Sequence, residues 1–304
     1  MKRLFILASA AIVALASCTK TEVVYNEAPQ EIGFKAVTGV MTKAVQTDTT
    51  FTQDMGVIAY QSGNSNVYFA NAQFTKQTVD ATTTWNGETP QYWPIDSSLD
   101  FFVYSPYQAT GVTPTNTAGS KTLAVAIADN STDQNDYLYS TTYITNKSKT
   151  SGNIPVGFDH ALAYVTVNFS GDNVITLTDA KLNGTYQSGT YTVTYGNTTS
   201  VAWSNQSTST DLELNEGKLT TDYATSWLVV PEDNTNAANT ITFNYKIDGM
   251  TGDAISKSIA LSEAWAAGTH YTYNVTIGAK EIKFTVETVA GWTPGSVSTN
   301  TAIQ

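Results

Sequence analysis

Glu31-Ile32-Gly33-Phe34-Lys35-Ala36-Val37 puts Ile32, Phe34 and Ala36 on one side of an extended chain, the period of a half-buried strand. The segments on either side of it carry no apolar period. Residues 19–30 are polar and contain a proline, as a tether does, and residues 38–53 include Thr42-Lys43-Ala44 in a stretch where a protease can reach the backbone. A strand bounded by two flexible, cleavable segments is one that can be removed. The reading of Ile32, Phe34 and Ala36 as a removable strand governs how the rest of the chain is understood.

Upstream, residues 1–17 read as a secretory leader: Lys2 and Arg3, then an apolar run from Leu4 to Ala16 that is too short to span a bilayer as a permanent helix. The run closes in Leu15-Ala16-Ser17-Cys18, with small side chains before the single cysteine of the chain. This arrangement resembles a lipobox, which implies lipid attachment to Cys18 and cleavage just before it. The expected division is a signal peptide at 1–17, a lipidated propeptide with the removable strand at 18–43, a first β-sandwich at 44–153 and a second at 154–304.

A hydrophobic fraction of 41% over 304 residues is enough for real cores, and a charged fraction of only 13% points to an extracellular β protein. Removing residues 1–17 takes away Lys2 and Arg3 and leaves 13 basic against 26 acidic side chains, a charge of about −13. Such acidity argues against nucleic acid or anionic lipid as a partner. With one cysteine there is no intramolecular disulfide, so stability has to come from packing.

Beyond residue 54 short strands alternate with turn clusters, the spacing of β-sandwiches. Met55-Gly56-Val57-Ile58-Ala59-Tyr60 and Val67-Tyr68-Phe69-Ala70 read as a hairpin, and Leu99-Asp100-Phe101-Phe102-Val103-Tyr104 has the hydrophobic density of a central strand. The Lys/Ser/Thr/Gly loop at 146–153 is the expected domain boundary. After it, Ala163, Val165, Val167 and Phe169 alternate with Tyr164, Thr166 and Asn168, so one face meets a core. Further strands are expected over 174–182, 190–195, 226–230, 241–247, 271–277 and 282–289. One short helical turn is expected at 262–267, before Gly268.

The chemistry of an enzyme is missing. Two histidines, His160 and His270, read as structural, and without cysteine partners they make no typical zinc site. Asp129-Asn130-Ser131-Thr132-Asp133 resembles the start of a calcium loop, but Gln134 stands where the turn glycine belongs and Ser140 where the bidentate glutamate belongs. No phosphate-cradling loop or nucleophile elbow occurs, so no catalytic residue, metal or cofactor is expected. The tryptophans are read as core filling, with stacking on sugars as the alternative.

Several separated stretches resemble the fimbrillin family, the lipoprotein-derived subunits of type V pili. They are Phe158-Asp159-His160-Ala161-Leu162-Ala163-Tyr164-Val165, Ser226-Trp227-Leu228-Val229-Val230-Pro231, and Trp265-Ala266-Ala267-Gly268-Thr269-His270-Tyr271 with Tyr273 and Val275. The resemblance implies an all-β fold of two tandem transthyretin-like Greek-key sandwiches. It also implies maturation by a trypsin-like protease outside the membrane and assembly with other pilus subunits by donor-strand exchange. Lys43 and Ala44 align with the family's basic cleavage site, although arginine is commoner there and Lys35 competes. The expected location is first the outer membrane, through the lipid, and then a cell-surface fimbrium with a host or bacterial surface ligand. The weak alternation after Trp292 favours a tip or accessory subunit. A surface-anchored glycan-binding lipoprotein that never polymerises is the alternative.

Overall fold

A computed structural model describes residues 28–36, 51–79, 82–117, 120–127, 134–207, 211–220, 222–232, 239–278, 280–290 and 297–303. The chain is all-β. Its strands begin with β1 (Gly33–Ala36), β2 (Met55–Gln61), β3 (Val67–Val79), β4 (Thr82–Gly87) and β5 (Leu99–Ser105). β6 (Val112–Thr117), β7 (Ser120–Ile127), β8 (Leu138–Ser140), β9 (Ile144–Lys147), β10 (Ile154–Val156) and β11 (Phe158–His160) follow. Next come β12 (Ala163–Gly171), β13 (Ile175–Asn183), β14 (Ser188–Tyr195), β15 (Thr199–Ser207), β16 (Leu212–Glu213) and β17 (Gly217–Lys218). β18 (Tyr223–Val229), β19 (Thr240–Ile247), β20 (Ile255–Ala260), β21 (Thr269–Ile277), β22 (Ile282–Ala290) and β23 (Val297–Ile303) complete the strands among the described residues.

The first sheet runs β10-β1-β4-β3-β2-β5-β8-β11, with β9 also on β5. Laid flat, β1 and β5 are four ladder steps apart, about 19 Å. Yet the rings of Phe34 and Phe101 meet at 5.4 Å between centroids, so the sheet rolls over on itself around one core. Ile32, Phe34, Phe74, Trp85, Phe101, Ile154 and Phe158 all belong to that core. Its terminal strands β10 and β11 are consecutive in sequence and separated by Gly157 alone.

A second sheet, β15-β14-β7-β6, covers the other face of β2 and β5. Because side chains alternate along a strand, Val57, Ala59, Phe101 and Val103 enter the rolled core while Ile58, Tyr60, Phe102 and Tyr104 face Leu123, Val125, Tyr191 and Val193. Every residue of β5 is buried, as its hydrophobic density predicts. The third core lies between the sheets β18-β12-β21-β22-β23 and β16-β13-β19-β20, where Val165, Val167 and Phe169 meet Leu177, Phe243 and Tyr273.

Strand pairing crosses the boundary expected after residue 153. β10 pairs with β1, β11 with β8, and β14 with β7, so the 146–153 loop connects parts of one sheet and does not divide two. Tyr137, Tyr191 and Leu228 share one core, tying the halves together. The helical turn expected at 262–267 is absent. Trp265 instead exchanges both backbone hydrogen bonds with Glu232, at 2.7 and 3.0 Å, and is buried. A stretch this short gains more from one such bridge than from an isolated turn that must first be nucleated.

Buried tyrosines make the fold alkali-sensitive. Burial pushes Tyr104 and Tyr139 up to about 12 and raises Tyr191 well above its ordinary value. Their folded-state pKa values exceed the unfolded ones, so the native state keeps protons that the unfolded chain releases above about pH 10. This contribution is fully present below about pH 10 and is lost as the pH rises towards about 12. A titration that follows phenolate absorbance together with circular dichroism should show a group of tyrosines ionising only as the sheet signal disappears.

Candidate functional site

β1 is enclosed on both edges. It runs antiparallel to β4, with Gly33 opposite Asn86 and Phe34 opposite Trp85. On its other edge it runs parallel to β10, in the register Phe34 to Ile154, Lys35 to Pro155 and Ala36 to Val156. Just before it, the Ile32 N–H donates to the Gln91 carbonyl at 2.7 Å and the Trp93 N–H donates to the Gln30 carbonyl at 3.0 Å. Among the described residues β10 has β1 as its one neighbour in the sheet order.

The period-two pattern of the sequence is realised in three dimensions. Ile32 and Phe34 are wholly buried, and Ala36 packs partly buried against the same core. The Phe34 ring meets Phe74 at 5.0 Å and Phe101 at 5.4 Å, both edge to face. Burying two such side chains is worth about 3–6 kcal/mol together, a large share of the roughly 5–15 kcal/mol that holds a domain folded. Without β1 the facing edges of β4 and β10 would also expose unpaired amides and carbonyls. The first core therefore depends on β1, an extended segment whose apolar residues fall at every second position.

Lys35 points to solvent, but its backbone lies inside the sheet between two neighbours. A protease needs an extended, unpaired stretch, so Lys35 is shielded for as long as β1 is docked. Cys18, Lys43 and Ala44 lie outside the described residues, as does the 129–133 stretch that resembles the start of a calcium loop. Among the described residues no group of three His, Cys, Asp or Glu side chains converges to hold a metal, and no helix is long and apolar enough to cross a membrane.

Both histidines sit in hydrogen-bonded frameworks. His160 Nδ1 lies 2.9 Å from the buried Asp136 carboxylate. His270 Nε2 lies 2.8 Å from the Thr166 hydroxyl, and burial pushes its imidazole below the usual range. The Asp136–His160 pair left no signal in the sequence, because the two residues are brought together by the register of β8 on β11, in which His160 faces Leu138. Trp85, Trp93 and Trp265 are buried, and Trp203 and Trp227 pack partly buried against the cores.

A sequence model described as fimbrillin-like matches residues 42–292. No curated protein matches the chain. Solved structures resemble it across nearly their whole length. A fimbrial protein from Bacteroides vulgatus is 20% identical, with a TM-score of 0.55 over 86% of this chain and 99% of that one. A candidate cell adhesion protein from Bacteroides ovatus is 16% identical, with a TM-score of 0.57 over 89% of this chain and 100% of that one. Another, from Bacteroides uniformis, is 18% identical, with a TM-score of 0.55 over 86% and 98%. At these identities the likeness is one of fold.

Proposed function

The chain belongs to the fimbrillin-like family, and from that premise we propose that it is a pilus subunit whose β1 is a placeholder for a strand from a neighbouring subunit. The observation that carries this reading is the enclosure of β1 between β4 and β10 with Ile32 and Phe34 fully buried. The chain is exported as a lipoprotein held through Cys18. Cleavage after Lys43 then releases residues 18–43 with their lipid and opens the slot, and an incoming segment restores both ladders by β-augmentation. The shielding of Lys35 within the sheet supports Lys43 as the point of cleavage. β22 contributes Ile282 and Val286 to its own core and carries β23 along its edge, so neither strand is spare as a donor, which supports a tip or accessory role.

Mild trypsin treatment tests this directly. The expected product begins at Ala44, keeps its β-sheet circular dichroism and forms SDS-resistant oligomers when mixed with further subunits. An N-terminus that survives intact, or a cut that melts the first core with no oligomer formed, overturns the reading.

A further inference from the structure

Away from β1, two clefts meet at Lys121 of β7. The larger, about 440 Å³, is bordered by Tyr143, which precedes β9, by Tyr195 at the end of β14, and by Thr142, Thr145 and Asn197. The smaller, about 240 Å³, lies on the other side of Lys121 and contains Asn64 and Asp100. We propose that this double cleft binds a glycan through an acidic sugar unit, a uronic or sialic acid, whose carboxylate is received by Lys121.

The Lys121 ammonium sits 4.1 Å from the centroid of the Tyr143 ring. That contact fixes it in place without neutralising it. Among the described residues it makes no ion pair, unlike Lys181, Lys218 and Lys283, each of which faces a carboxylate. The Tyr143 hydroxyl is buried and has no hydrogen-bond partner among the described residues, and burial raises its pKa, so it stays a protonated donor. With no exposed surface, that hydroxyl is out of a ligand's reach, and what Tyr143 gives the cleft is its ring face under the ammonium. The Tyr143 ring thus positions the Lys121 ammonium to receive one anionic group.

The size and lining of the larger cleft indicate the ligand class. Its volume falls in the range of small-molecule sites, and hydroxyl and amide side chains line it, suiting a polyhydroxylated ligand. One cation with neutral donors matches a singly charged carboxylate, whereas a phosphate calls for more positive charge or a fork of guanidinium donors. In the smaller cleft the Asp100 carboxylate accepts hydrogen bonds from the Ser62 hydroxyl at 2.5 Å and the Asn146 N–H at 2.9 Å. A carboxylate there rejects a second anion and accepts sugar hydroxyls, so an acidic unit on one side and a neutral unit on the other is the arrangement that fits. In a chain of formal net charge −11, overall electrostatics repel such a ligand. Binding therefore has to come from this local site.

The test uses the intact monomeric chain and needs no polymerisation, so its outcome is separate from that of strand exchange. Methyl glycosides of glucuronic acid and N-acetylneuraminic acid, a neutral methyl glucoside and a sulfated glucoside are titrated and followed by ligand-observed NMR. At least one carboxylated glycoside is expected to bind with Kd of about 0.1–1 mM, and the neutral glucoside about tenfold more weakly or worse. Lys121→Met keeps the stem over Tyr143 and should weaken acidic-sugar binding about tenfold with unchanged thermal unfolding, while Tyr143→Phe, which keeps the ring under the ammonium, should change it less than about twofold. Equal binding of neutral and acidic glycosides overturns the proposal, as does undiminished binding by Lys121→Met. Binding of the sulfated glucoside alone, or no binding up to about 10 mM, overturns it as well.

Discussion

Phe34→Ala is expected to lower the unfolding free energy of the intact chain by about 3–5 kcal/mol, the range for deleting a phenyl ring from a closed core. The ring is held by Phe74 and Phe101 and has no exposed surface, so the walls of the roll cannot collapse into the space it leaves. Phe34→Asp should cost more, because a carboxylate would then sit among aromatic rings without a partner. Urea unfolding followed by tryptophan emission reads the loss, since Trp85 and Trp93 belong to the same core. A change below about 1 kcal/mol would show that the slot tolerates an imperfect occupant. The proposal of a replaceable β1 adds a sharper expectation. Once residues up to Lys43 are cut away, position 34 no longer belongs to the subunit. Oligomers assembled from Phe34→Ala subunits should therefore be as stable as wild-type ones, and they should form faster because the placeholder leaves more readily. Equal damage to precursor and oligomer would mean that β1 stays in place.

Asp136→Ala should also be damaging, by about 1–3 kcal/mol, through a different cause, the loss of a buried hydrogen-bonding partner. Asp136 and His160 are both buried, with side-chain exposures of 0% and 3%. Removing the carboxylate takes away the group facing Nδ1 where β11 closes the first sheet against β8. Asp136→Asn retains a polar partner and should lose less. Converting the pair together, Asp136→Leu with His160→Phe, should recover much of the loss, since a buried pair often does no better than a well-packed apolar replacement. A double-mutant cycle by chemical denaturation measures the coupling. Additive losses from the two single changes would mean that the residues do not act together.

Where a residue's role follows from local alternation, the sequence makes it legible. The period of two in Ile32, Phe34 and Ala36 is enough to bury the first two, and the density of apolar residues in β5 is enough to bury it on both faces. Ala163 through Phe169 likewise turn their apolar set into the third core. Roles that depend on long-range register were not legible. Nothing near residue 153 reveals that β10 docks beside β1 or that β14 continues a sheet begun by β7. A polar loop is as good a connection within a sheet as between domains. The same limit hid Asp136 from His160 and Lys121 from Tyr143, since each pair is made by strands whose adjacency is decided far away. Trp265 failed for a local reason: a Glu-Ala-Trp-Ala stretch suits a helix by propensity, but its backbone found a partner in Glu232.

A segment clasped along both flanks, as β1 is by β4 and β10, has no free side from which it can be peeled. Tension applied along its length loads every rung of both ladders at once, whereas a hairpin pulled from one end surrenders its bonds one by one. An occupant of this slot therefore meets drag in shear, the stronger of the two mechanical geometries.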